Sequence, residues 1–323
     1  MKSNIIISVL LVILSLTVAS CSNEENIIEN SLGDELNSEN NKIVTFSGAT
    51  MDGVSVLIFG RNNTSYKYQG IVDTGWSTDG KATKVLEIGR YKFLFMKYTP
   101  VYTELYPTTI DQNTLFEDIR IDSKPDLANS GYTLPVDEIW LPETDSLANI
   151  IYPIYNTTTV HNKLKRAVSQ IELYIIRASN NGTQMDSLPF PTGKNIMDNI
   201  QEIKLDIDGV GKYITTAGGF GSEKTLYKAT TADSITSKGY AIFEGPLLFP
   251  NGTRTNTSVD ITITTKTGSA YPATMTEKVQ GLLERNKKLK ITLWLTSTYE
   301  FITITVDTEP ISENTDGDSG IWE

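Results

Sequence analysis

One cysteine and one histidine in 323 residues set the first limits on what this chain does. A lone cysteine, Cys21, closes no intrachain disulfide and builds no cysteine-rich zinc cage. The lone histidine, His161, lies in the turn-rich "TVHNK", and no G-x-S-x-G elbow supplies a serine for it to activate. Basic runs are missing too. With 28 lysines and arginines against 39 acidic residues the net charge is −11, which argues against nucleic acid and anionic lipid headgroups as partners. Beyond Val18 no apolar run approaches the length of a membrane-crossing helix. Helical signals are few and short, limited to "PTTIDQNTLFEDI" around residue 110 and "NIMDNIQEI" from Asn195.

Carboxylates are plentiful, but their spacing points to no reaction. "LDIDGVG" (Asp206, Asp208) and "NTDGDSG" (Asp316, Asp318) each offer two acidic ligands where a calcium loop needs more oxygens and a bidentate glutamate. Asp-Gly turns between strands account for both. "PTGKN" lacks the upstream glycine and following hydroxyl of a P-loop. The group Glu117, Asp118 and Asp122 in "LFEDIRID" is no firmer, since closeness along a chain does not fix separation in space. The expectation is a protein without catalytic residues, cofactor or metal.

What is present begins with the setting of Cys21. It follows Met1, Lys2 and the 14-residue apolar stretch from Ile5 to Val18, which is short for a bilayer span and fits the apolar region of a signal peptide over residues 1–20. Val18, Ala19, Ser20 and Cys21 resemble the bacterial lipobox, in which the cysteine is diacylated and becomes the mature N-terminus. An ordinary secretory signal with an incidental cysteine is the other reading. Residues 21–41 then carry Glu24, Glu25, Glu29, Asp34, Glu35 and Glu39 before any basic residue, a composition suited to a flexible tether. Acidic residues close behind an acylated cysteine resemble a surface-export signal of Bacteroidetes lipoproteins; a plain acidic linker is the alternative.

The remaining chain reads as β throughout. In "SVDITITTK", Val259, Ile261 and Ile263 alternate with Asp260, Thr262 and Thr264, and "KLKITLWL" repeats the device with Leu289, Ile291, Leu293 and Leu295. "FITITV" (301–306), "GVSVLIFG" from Gly53, "SYKYQGIV" from Ser65, "RYKFLFMKY" from Arg90, "QIELYII" from Gln170 and "EIKLDIDG" from Glu202 share the pattern. Strands at this spacing close as sandwiches or barrels. A break is expected within 149–166, which gives an N-terminal β-sandwich over 42–160 and a C-terminal one over 161–323.

Lipobox, acidic tether, "VSVLIFG", "LEIGRYKFLFMKY", "LKRAVSQIELYI", "LERNKKLKITLWL" and a terminal strand near a tryptophan follow one another in an order that resembles the fimbrillin-like lipoproteins of Bacteroidetes type V pili. The resemblance implies an all-β protein of two tandem transthyretin-like sandwiches behind a lipidated tether. It also implies a fimbrial subunit that joins others by strand addition at the cell surface, held in the outer membrane through acylated Cys21 and able to meet host or bacterial surface ligands. Stalk subunits of that family lose their first strand to an arginine-specific protease. Here "ATMD", between the expected strands 42–48 and 53–60, holds no arginine, and the first one, Arg61, is the candidate cleavage site after the second strand. An anchor or accessory subunit that keeps its lipid is therefore favoured over a cleaved stalk, with residues 301–306 and the tail through Trp322 engaging a partner. A surface glycan-binding β-sandwich lipoprotein is the alternative, to be recognised by clustered exposed tryptophans. Asp-Ser-aliphatic triplets make Ser146, Ser187 and Ser234 candidate O-glycosylation sites by resemblance to the Bacteroidetes motif.

Overall fold

A computed structural model of the chain describes residues 40–48, 53–143, 148–180, 185–252, 256–268 and 271–311. Cys21, the signal peptide, residues 21–39 of the tether, the "ATMD" loop, Ser146, Asp316, Asp318 and the tail through Trp322 lie outside them.

The protein is all-β. Its first strands are β1 (Asn41–Ser47), β2 (Val54–Asn62), β3 (Ser65–Val72), β4 (Lys81–Glu87), β5 (Gly89–Tyr98), β6 (Thr103–Tyr106), β7 (Arg120–Ser123) and β8 (Ile139–Pro142). Then come β9 (Tyr152–Ile154), β10 (Thr158–His161), β11 (Leu164–Arg166), β12 (Ser169–Asn180), β13 (Met185–Ser187), β14 (Ile200–Val210), β15 (Tyr213–Thr215) and β16 (Gly218–Phe220). The last are β17 (Glu223–Ala229), β18 (Ser234–Ile235), β19 (Ala241–Leu248), β20 (Thr257–Thr265), β21 (Thr274–Gly281), β22 (Lys287–Leu295) and β23 (Phe301–Pro310).

The two helical signals shrink to single 3-10 turns, Phe116–Asp118 and Ile196–Asp198. The second has a sound start, because Asn195 and Asp198 form a reciprocal capping box. It stops at once: Ile200, Ile203 and Leu205 are needed on the buried face of β14. Near residue 110 the Asp111 carboxylate accepts the Asn113 N–H at 2.8 Å, an Asx turn that replaces the helix expected there.

The chain divides into two compact units. The smaller takes Met1–Asp52, Thr74–Tyr91 and Ile151–Asn162. Its sheet has the order β10-β1-β4, with β1 parallel to β10 and antiparallel to β4. β9 joins it by pairing with Gly89–Tyr91 at the start of β5.

The larger unit holds a sandwich. One sheet runs β18-β19-β12-β22-β23, with β13 on β12, and the other runs β17-β14-β20-β21. Ile171, Leu173 and Ile175 of β12 and Leu289, Ile291 and Leu293 of β22 meet Ile203, Leu205 and Ile207 of β14 and Val259, Ile261 and Ile263 of β20 in one core. These are the alternating positions expected from the sequence. Each such side chain is worth about 1.5–3 kcal/mol when fully buried, so the core dominates the stability of a unit that has no disulfide.

A second core in the same unit joins residues far apart in sequence. Phe59, Leu94, Met96, Phe116 and Ile121 pack with Val168, Ile214 and Phe249, and Phe59 meets Phe116 edge-on at 5.3 Å. The small sheet β16-β15-β7-β6 unites strands of the two sequence halves through the pairing of β15 with β7. The stretch 149–166, read as a break, is itself strand-forming: β9 pairs β5, β10 pairs β1, and β11 pairs β8.

The "LDIDGVG" segment departs from the sequence reading. Asp208 and Gly209 make no turn between strands; they form a bulge inside β14, where the register slips and Gly209 takes a φ of 84°. Asp206 accepts a hydrogen bond from the Tyr132 hydroxyl at 2.8 Å, and Asp208 pairs with Lys224 at 3.2 Å. Both carboxylates are thus occupied by protein partners.

Candidate assembly strands and an aromatic face

β1 is a central strand. Its four residues Val44 to Ser47 pair with Thr158 to His161 of β10, and all seven pair with β4. Val44 and Phe46 are fully buried, which the alternation in "KIVTF" anticipates. His161 is exposed at the end of β10, and its Nδ1 lies 2.6 Å from Ser47 Oγ, so the one histidine pins the register of the parallel pair. Removing β1 would leave β10 and β4 facing each other across a strand-wide gap lined by unpaired backbone groups.

Arg61 falls inside β2, as its penultimate residue, because the strand runs two residues further than "GVSVLIFG" suggests. Its backbone pairs with Tyr66 in the β2–β3 hairpin, while its exposed side chain donates from Nε to the Asn63 carbonyl at 2.9 Å. A protease reads an extended, unpaired segment, so cleavage here requires the hairpin to open.

β23 closes the larger sheet as an edge strand, antiparallel to β22. Ile304 and Val306 pack partly on the core, while Thr303, Thr305, Asp307 and Thr308 are exposed. The strand buries little side-chain surface, so it is held mainly by its backbone pairing with β22, and its outer edge is unpaired within the sheet. Ser234 is exposed on the edge strand β18, where the neighbouring Asp233 carboxylate accepts the Glu244 N–H at 2.7 Å. Ser187 is half-buried on β13 opposite Ala178.

The small sheet presents a feature that no local pattern announces. Its inner face carries Thr103, Ile121, Ser123 and Ile214, all buried. The outer face carries a ladder across the strands: Tyr106 opposite Arg120, and Tyr213 opposite both Asp122 and Phe220. The Arg120 guanidinium sits 3.9 Å above the Tyr106 ring and 4.9 Å from that of Tyr213, which stacks on Phe220 at 5.6 Å. Asp122 holds Arg120 in a two-bonded fork of 2.8 and 3.2 Å and raises its pKa above the ordinary arginine value. Tyr106 and Phe220, at the two edges, are 43% and 38% exposed, and Glu117 and Asp118 border the same cleft. Among the described residues Trp76, Trp140 and Trp294 are half-buried, and the exposed aromatics there are tyrosines and phenylalanine in place of the tryptophans expected of a glycan surface.

Among the described residues no three histidine, cysteine or acidic side chains gather as metal ligands, and no helix is long and apolar enough to cross a membrane.

No protein-family model matches the sequence, and no curated protein matches it. Solved structures do resemble the fold. A candidate polysaccharide-binding protein from Bacteroides thetaiotaomicron superposes with a TM-score of 0.52 at 12% identity, over 85% of this chain and 99% of its own. A candidate adhesin from Bacteroides ovatus superposes at 0.50 with 9% identity, over 83% of this chain and 92% of its own. The chain shares the all-β architecture of these two proteins along nearly its whole described length.

Proposed function

We propose that the chain is a non-enzymatic cell-surface fimbrial subunit that serves adhesion, retains its lipid and assembles by strand addition. The observation that carries the reading is the place of β1, a central strand with Val44 and Phe46 fully buried, joined to the tether, set against β23, an edge strand held mainly by backbone pairing with one neighbour. A central strand that leaves creates an acceptor, and an edge strand that detaches is a donor whose main-chain bonds supply affinity. Lipidation at Cys21 places the subunit in the outer membrane. The tandem arrangement, with sandwiches over 42–160 and 161–323, belongs to the same proposal, as do O-glycans at Ser146, Ser187 and Ser234.

The anchor or accessory role over that of a cleaved stalk is supported by Arg61, whose backbone is tied into the β2–β3 hairpin. A cut there would discard β1 and nearly all of β2, including the fully buried Phe59. Sequencing the N-terminus of protein taken from assembled fimbriae tests this. A blocked, lipidated Cys21 is expected; a chain beginning at Asn62 overturns the anchor role.

The second reading, a surface glycan-binding lipoprotein, is favoured by the ladder of Tyr106, Arg120, Tyr213 and Phe220 with the carboxylates of Glu117 and Asp118 at its rim. Aromatic faces take the C–H faces of sugars, and charged forks bond their hydroxyls. If this surface is the binding site, Tyr106→Ala together with Phe220→Ala weakens glycan binding at least tenfold without lowering fimbrial incorporation. Unchanged binding to an array of surface polysaccharides removes the second reading.

A further inference from the structure

The alternation in β5, "GRYKFLFMKY", puts Lys92, Leu94 and Met96 on one face of the strand, and Leu94 and Met96 belong to the core around Phe59 and Phe116. A lysine therefore occupies a core-facing position and is only 9% exposed. Its Nζ lies 4.4 Å from the centroid of the Phe116 ring and 5.0 Å from that of Tyr66. Two polar groups reach into this apolar pocket. Lys92 Nζ donates a hydrogen bond to Asn149 Oδ1 at 2.9 Å and lies 3.6 Å from Glu117 Oε1.

A buried cation needs a partner, and one carboxylate would suffice for that purpose. The pocket instead brings together an amine, a carboxamide and a carboxylate, with the carboxamide nearest the nitrogen. Glu117 approaches from the solvent side, its side chain 57% exposed. That combination is the one needed to join an amine to an amide carbon and expel ammonia.

We propose that Lys92 and Asn149 become joined by an intramolecular isopeptide bond, with Glu117 as the proton carrier. Glu117 takes a proton from the Lys92 ammonium, and the uncharged Nζ adds to Cγ of Asn149. Glu117 then returns that proton to Nδ2 as the Cγ–Nδ2 bond breaks. One Nζ–Cγ bond is formed and one Cγ–Nδ2 bond is lost; the nitrogen leaves as ammonia and takes up the second proton that Nζ sheds as the new amide forms, so the ammonium released carries two of the three protons the lysine ammonium began with. No oxidant, metal or cofactor is consumed. The step is slow between free molecules, but fixed neighbours in a water-poor pocket react as one molecule, which supplies the acceleration. The product ties β5 to the segment that leads into β9, between residues 57 positions apart.

Mass spectrometry of trypsin digests of the full-length folded protein, denatured only at digestion, tests the bond. Lys92 in the linked form is no longer a cleavage site, so residues 91–97 are expected as a branch on residues 121–163, about 17 Da lighter than the two unlinked pieces together because ammonia has left. Glu117→Gln should lower the branched product at least tenfold while the melting curve still shows a cooperative transition, and Lys92→Arg should abolish it. Cleavage after Lys92, with residues 121–163 recovered at their full unlinked mass from wild-type protein incubated for days, overturns the proposal without recourse to any variant.

Discussion

Protein from which β1 has been stripped is expected to melt about 10–20 °C lower than the intact chain and to recover when a peptide spanning residues 42–48 is supplied. The strand can be freed by inserting a protease site between residues 49 and 52, cutting it, and removing the released segment in mild denaturant. Cutting alone changes little, because every contact of β1 survives it. Removal is different. Val44 and Phe46 are fully buried, and their loss forfeits about 1.5–3 kcal/mol each. The backbone groups of β10 and β4 lose their partners at the same time, at about 1 kcal/mol net for each hydrogen bond. The total exceeds about 5 kcal/mol, comparable with the whole net stability of many domains. A free peptide restores both contributions and gives back stability in proportion to its concentration. The same peptide carrying Phe46→Asp should not, since its charge would enter a buried position. A stripped protein that melts within two or three degrees of the intact one, or one that the peptide leaves unchanged, shows that the gap between β10 and β4 is no acceptor.

That β1 exists was legible in "KIVTFSG", but not that it lies between two partners. Its partner β4 lies 40 residues on and β10 lies 114 residues on, and period-2 alternation reports which face of a strand is buried, never which strand it pairs with. The same limit explains the aromatic ladder. Tyr106, Arg120, Tyr213 and Phe220 are unremarkable one by one and become a surface only once β7 pairs with β15. By contrast, β20 and β22 were readable in full, because strict alternation of Val259, Ile261 and Ile263, and of Leu289, Ile291 and Leu293, needs no knowledge of neighbours.

Some signals were present and read differently. Lys92 stands in a core-facing row of "RYKFLFMKY", and a charge at such a position marks a site to be explained. The stretch 149–166 reads as a break because Pro153, Asn156 and Asn162 punctuate it, yet Tyr152 and Ile154 lie in one short strand, Val160 in a second and Leu164 in a third. The helix expected from Asn195 had a proper cap, and tertiary demand for Ile200 and Ile203 on the buried face of β14 ended it after one turn.

Cys21→Ala is expected to move nearly all of the protein from the washed membrane fraction into the soluble fraction. Each methylene of an acyl chain buried in a bilayer contributes about 0.8 kcal/mol, and two or more chains hold a protein stably where one does not. Among the described residues no helix is long and apolar enough to cross a membrane in place of the acyl chains. The net charge of −11 also opposes adsorption to anionic headgroups. The acidic residues from Glu24 to Glu39 add to this repulsion next to the bilayer once the acyl chains are gone. A salt wash at high ionic strength removes any residual electrostatic attachment, and a strain without other fimbrial subunits removes retention through strand addition. Under those two conditions wild-type protein should remain with the membrane and the alanine variant should not. If both fractionate alike, the anchor is not the acylated cysteine, and the lipid-retaining role falls with it.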